Sequence, residues 1–154
     1  MSHSISAAPD HLPALGIVAD LSDDERSCLF NFGETFSHLK SDKLVEQGKP
    51  QGFLHLLLVG ELRVVAASDQ ALLTLGYVQP GECVGEMTML EPITEAAANV
   101  VATVSSTVWC LQRKDFLRFV EEYPVAGAKV YRGIAVLLAR RLRRRTEHLM
   151  ETAG

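Results

Sequence analysis

The residues best arranged to do chemistry lie in one stretch, GEMTMLEPITEAAANVVA, from Gly85 to Ala102. A Gly-Glu pair opens it, one turn of apolar helix follows at Met87–Leu90, and the chain then returns to a β-prone run. That cadence suits a loop that holds a phosphate: the glycine permits a tight turn, and backbone N–H groups at the start of a helical turn attract anions. The charge is of the wrong sign, however. The stretch carries Glu86, Glu91 and Glu95 and no basic residue, and between Pro50 and Gln112 the only Lys or Arg is Arg63.

Other reactive types are scattered. His38 and His55 fall on separate β-prone runs without a His-x-His pair, so a metal site of cupin type is not expected, and a strand-face histidine is the simpler reading of His55. Cys28, Cys83 and Cys110 are odd in number and far apart, which fits reduced thiols rather than a disulfide framework or a CxxC pair. No catalytic constellation emerges, and the chain is expected to be non-enzymatic.

The elements that must position these residues come in a clear order. Residues 1–9 are small and polar and are expected to be loose; residues 10–32 suggest two short helices, HLPALGIVADL and LSDDERSCLFNF. Ser22 and Glu25 form a capping-box pattern at the start of the second. Residues 33–112 read as seven or eight short strands: ETFSHLK, KLVEQG, FLHLLLV, ELRVVAA, ALLTLGYV, NVVATV and STVWCLQ, most of them separated by turn residues. Such spacing predicts a barrel or jelly roll, which folds the sheet on itself and limits exposed edges. Residues 113–150 return to helical period: KDFLRFVEEY, stopped by Pro124, then one long helix. On it Val130, Ile134, Leu138, Leu142 and Leu149 form an apolar stripe, and at ~1.5 Å per residue such a helix outruns a small roll. The whole is one mainly β domain with flanking helices.

Composition agrees. At 154 residues, 47% hydrophobic and 22% charged, the chain is of globular type. No apolar run reaches the ~20 residues of a membrane span, no signal peptide is legible, and a cytoplasmic location is expected. Net charge is −4. From Lys129 onward seven basic residues face two acidic ones (+5), leaving eight against seventeen (−9) for the rest. The run Arg140–Arg145 spreads round its helix as a solvated face would, and a helix C-terminus favours cations.

Element order and motifs together resemble the cyclic nucleotide-binding domain of catabolite-activator regulators and cAMP-dependent kinase regulatory subunits. LSDDE resembles its entry helix, KLVEQGKP its strand ending in Gln-Gly, LLLVGELRVV its glycine hairpin, and VQPGECVGEMTMLE the approach to its phosphate-binding cassette. The resemblance implies a β-roll with N-terminal helices and a long C-terminal helix. It implies that Gly85, Glu86, Met87 and Thr88 open the cassette, with Glu86 on the ribose hydroxyl, and that a following Arg-Ser pair falls on Ala96 and Ala97. The residues give no motif for a metal or haem, so no metal and no cofactor is expected, a cyclic nucleotide being the one ligand to consider. A cassette with alanine for arginine is expected to bind that ligand weakly or not at all; the alternative is a sensor that keeps binding through Glu86 and the cassette amides. Iron–sulfur relatives need four cysteines, and here there are three. The family's long helix pairs with its twofold mate, so a homodimer through Val130–Leu149 is expected. No helix-turn-helix follows Leu149, so sequence-specific DNA binding is not expected; an effector protein remains an open partner.

Overall fold

The computed structural model describes residues 9–92 and 94–153. The loose stretch expected over 1–9 lies, except for Pro9, outside them. Among the described residues ten strands, all paired antiparallel, make two four-stranded sheets and a short ribbon. The first sheet runs β1 (Glu34–His38), β10 (Ser106–Gln112), β4 (Phe53–Val59), β7 (Cys83–Val84). The second runs β2 (Lys43–Val45), β9 (Asn99–Ala102), β5 (Leu62–Ala67), β6 (Leu72–Val78). The ribbon joins β3 (Pro50–Gln51) to β8 (Thr94–Glu95). The seven runs legible in the sequence all contribute strands; the two-residue pieces β3, β7 and β8 are too short to leave a period of their own.

Side-chain alternation gives the roll two cores. Leu54 and Leu56 on β4, with Trp109 and Leu111 on β10, face the helices; Leu57, Val108 and Cys110 face the roll interior with Val45, Val78 and Val100. The Trp109 indole donates to the Phe30 carbonyl at 3.0 Å. Gly33 lies so close to that indole that an added Cβ would sit 2.5 Å from it.

Helix α1 (Asp23–Phe30) carries the expected capping box: Glu25 N–H donates to Ser22 Oγ, and Ser22 N–H to Glu25 Oε1. The other N-terminal helix contracts to a single 3-10 turn, Gly16–Val18, whose first residue sits at φ +62°, outside the α region. Helix α2 (Arg113–Glu122) and helix α3 (Pro124–Thr152) follow the roll, α3 opening with proline in its first turn.

The stripe on α3 needs correction. Val130 and Ile134 are fully buried within the protomer, and Leu138 packs half-buried against the same core. Gly133 lets the helix approach so closely that a Cβ there would stand 2.4 Å from the Ile17 carbonyl oxygen. Only Leu142 and Leu149, each 67% exposed, remain free for a partner. The reason is angular: each residue turns about 100° round an α-helix, so three steps of four from Val130 to Leu142 drift by about 120°. Alternating steps of four and three hold one face, and they pick out Ala135, Ala139, Leu142, Thr146 and Leu149, all exposed.

Candidate ligand site

The cassette is a strand–turn–ribbon unit. β7 ends at Val84, Gly85 turns the chain at φ +80°, and a 3-10 turn spans Glu86–Met89. Two constraints demand glycine at 85: the left-handed backbone, and the Phe53 carbonyl oxygen, which would lie 2.3 Å from any Cβ. The chain returns through β8, whose pairing with β3 sets Glu95 opposite Pro50 and Thr94 opposite Gln51. Ala96 extends this clasp, donating to the Lys49 carbonyl at 2.9 Å and accepting from Gly48 N–H at 2.8 Å.

The cassette's side chains divide. Glu86, Thr88 and Met89 are buried; Met87 and Leu90 stand half out in solvent. Of the apolar turn, Met89 packs into the core and Met87 and Leu90 do not, because a 3-10 turn this short presents a single face inward. Ala96 is 6% exposed and belongs to the roll interior with Val45, Leu57, Val78 and Val100, whereas Ala97 points outward. Ala96, where the resemblance would set the family's arginine, sits among aliphatic side chains.

A cation does reach the cassette, from elsewhere in the chain. Arg141 on α3 donates through Nη1 to Glu86 Oε1 and through Nη2 to the Cys83 carbonyl at 3.1 Å. It engages the cassette's carboxylate, while the other carboxylate oxygen, Oε2, and the Thr88 hydroxyl are buried without hydrogen-bond partners. Sequence reading counted Arg141 in the solvated run Arg140–Arg145. Its role depends on a contact 55 residues away, which no local pattern signals. Arg140, Arg143, Arg144 and Arg145 are indeed exposed.

The remaining candidates are quiet. His55 faces the roll interior with Nδ1 3.2 Å from Cys110 Sγ. Burial, seconded by the charge of His38, pushes its imidazole down from 6.5 to about 4. Burial lifts the Cys110 thiol to about 12, with the Glu34 carboxylate adding to it, so the pair is neutral on both sides. Cys83 is lifted likewise to about 12 by burial, then by Glu86, against Arg141. Cys28, Cys83 and Cys110 are free thiols, and no group of three or more His, Cys, Asp or Glu among the described residues could hold a metal ion. No helix among them is long and apolar enough to cross a membrane.

His55 makes a prediction about acid. The unfolded chain takes a proton near 6.5 while the folded one stays neutral to about 4, so the unfolded state binds more protons between those values. Stability should fall as pH drops through that window, by on the order of 3 kcal/mol, and this contribution levels off below it. Thermal unfolding followed from pH 7 to 4 should slope less in His55→Gln than in the wild type; equal slopes would assign the acid sensitivity to other groups.

The cyclic nucleotide-binding domain family matches residues 36–123. The chain is 35% identical over 112 residues to the cyclic AMP receptor protein of Thermus thermophilus, covering 66% of this chain and 48% of that one. It is also 32% identical over 126 residues to glutaminase 1 of Bradyrhizobium diazoefficiens, covering 82% of this chain but 20% of the enzyme. It thus spans half or less of either relative. A cyclic nucleotide-binding domain from Methylobacillus flagellatus superposes with a TM-score of 0.80 at 23% identity, over 94% of this chain and 90% of that one. With the β-roll, the Gly85–Glu86 cassette and the family match over most of the roll, the chain belongs to the cyclic nucleotide-binding domain family, a family of regulatory modules.

Proposed function

We propose that this protein is a non-enzymatic regulatory module of the cytoplasm, homodimeric through the exposed seam of α3, in which recognition of cyclic nucleotides is weakened. One observation carries the reading: Ala96 occupies the aliphatic interior of the roll, where a cyclic phosphate would need a cation. Arg141 does not substitute for it, being bonded to Glu86 and to Cys83. An anion buried without its hydrogen-bonded partner typically loses about 2–5 kcal/mol, a fall in affinity of roughly 30-fold to several thousand-fold. The dimer rests on the 4-3-4-3 spacing from Ala135 to Leu149, where small residues flank Leu142.

Ala96→Arg with Ala97→Ser tests the pocket. Calorimetry with cAMP and cGMP should give an affinity at least ~30-fold above wild type. The unliganded variant should melt lower, because its guanidinium enters an apolar core, and should recover on adding nucleotide. No gain in affinity would overturn the alignment of the cassette.

A second reading has its own support. Glu86 Oε2 and Thr88 Oγ1 are buried polar atoms without partners, a costly arrangement that a ligand hydroxyl would relieve. On that reading the module is a sensor held by ribose rather than phosphate contacts. Low-micromolar binding of a cyclic nucleotide to the wild type would establish it and displace the first.

A further inference from the structure

A cavity of ≈ 520 Å³ lies between the Phe36–His38 part of β1 and the segment from Lys43 to Phe53. Its size falls within the roughly 300–1,000 Å³ of small-molecule sites. Glu86, Thr88 and Ala96 do not line it.

Its walls are aromatic and its mouth is basic. Phe36 on β1 and Phe53 on β4, strands that flank β10 in one sheet, are 44% and 38% exposed, large apolar side chains left uncovered at the cavity. The floor is the neutral pair His55–Cys110. Cys110 occupies Nδ1 of the imidazole, and Nε2 has no hydrogen-bond partner among the described residues. At the rim Lys49 is paired with Glu46 at 3.0 Å, whereas Lys43 makes no ion pair among the described residues. The mouth therefore holds one uncompensated positive charge on a body that is otherwise strongly acidic.

We propose that this cavity is a second ligand site, taking a small aromatic carboxylic acid whose ring lies between Phe36 and Phe53 and whose carboxylate meets Lys43. Flat faces suit offset or edge-on aromatic packing, a single rim ammonium suits a single anionic group, and the imidazole Nε2 suits a polar ring substituent. The wall of the site is also the brace of the cassette: Pro50–Gln51 pairs with β8, and Phe53 O abuts Gly85. A ligand here would press on the strand that holds Gly85 and Ala96 in place.

The test titrates the whole protein with 2-naphthoate and with its neutral isostere 2-naphthamide, by calorimetry and by amide chemical shifts. The expected result is saturable binding, with the acid about fivefold tighter than the amide. The largest shifts should fall at Phe36, Phe53 and His55. Lys43→Ala, a change at an exposed residue, should abolish the acid's advantage, while Lys40→Ala, outside the cavity, should keep it. Failure to bind at millimolar probe would overturn the proposal. So would equal affinity for acid and amide in the wild type, shifts centred on Glu86–Ala96, or an undiminished preference in Lys43→Ala.

Discussion

Leu142→Glu should yield a folded monomer. The side chain is 67% exposed and touches no core of its own protomer, so the change leaves the domain's melting temperature close to wild type. In a dimer paired along Ala135, Ala139, Leu142, Thr146 and Leu149 the two glutamates would meet near the twofold axis. Burying two like, unpaired charges costs several kcal/mol, enough to raise a dimer dissociation constant on the order of a thousandfold. Light scattering at dilute concentration reads the mass directly. Leu149→Glu, seven residues on along the same face, should act alike. Ile134→Glu makes the instructive contrast: its position is 0% exposed within the protomer, so it should unfold the domain rather than divide a dimer. Leu138→Glu would confuse the two outcomes, because Leu138 packs against the protomer's own core. A dimer that persists in both Leu142→Glu and Leu149→Glu would locate the interface elsewhere, or dispose of α3 pairing.

Arg141→Ala should destabilise the domain by about 2–3 kcal/mol, toward the lower part of the range for breaking a buried pair, because the arginine itself is partly solvated. What remains is a Glu86 carboxylate that has lost its arginine, with Oε2 already buried and unsatisfied. Glu86→Gln in the same background removes the stranded charge and should restore most of the loss. The non-additivity of this cycle in urea denaturation measures the pair itself. A neutral Arg141→Ala would mean that α3 does not anchor the cassette. The consequence reaches the proposed function, because this bond links the cassette turn directly to the helix proposed to carry the dimer. A ligand that drew Glu86 away would free Arg141 from it.

Much of the fold is legible because it is written locally. The capping box at Ser22 and Glu25 needs only three residues of separation. The strands announce themselves by alternation, and Leu54, His55, Leu56 and Leu57 divide between the two cores by parity. The turn at Gly85 is visible as Gly-Glu before an apolar turn. For the alanines at 96 and 97 the structure supplies what counting leaves unstated, an inward sense for the first and an outward one for the second. The first N-terminal helix was less legible: its apolar pattern is helical, but Gly16 adopts a left-handed backbone and only three residues coil.

By itself the sequence determined the order of the elements, the β-roll and the absence of a basic residue from the cassette, since backbone propensity and side-chain periodicity act over a few residues. Tertiary structure alone decided that Arg141 leaves the arginine run to hold Glu86, and that Val130 and Ile134 belong to the protomer while Leu142 and Leu149 face out. It decided too that Phe36 and Phe53, remote from each other in sequence, wall a common cavity. The physical reason is shared: a helix or strand shows the chain which residues lie on one face, but which face is covered depends on what packs there. Here the packing comes from contacts such as Lys129 to Glu25 and Gly133 to Ile17, each more than a hundred residues apart.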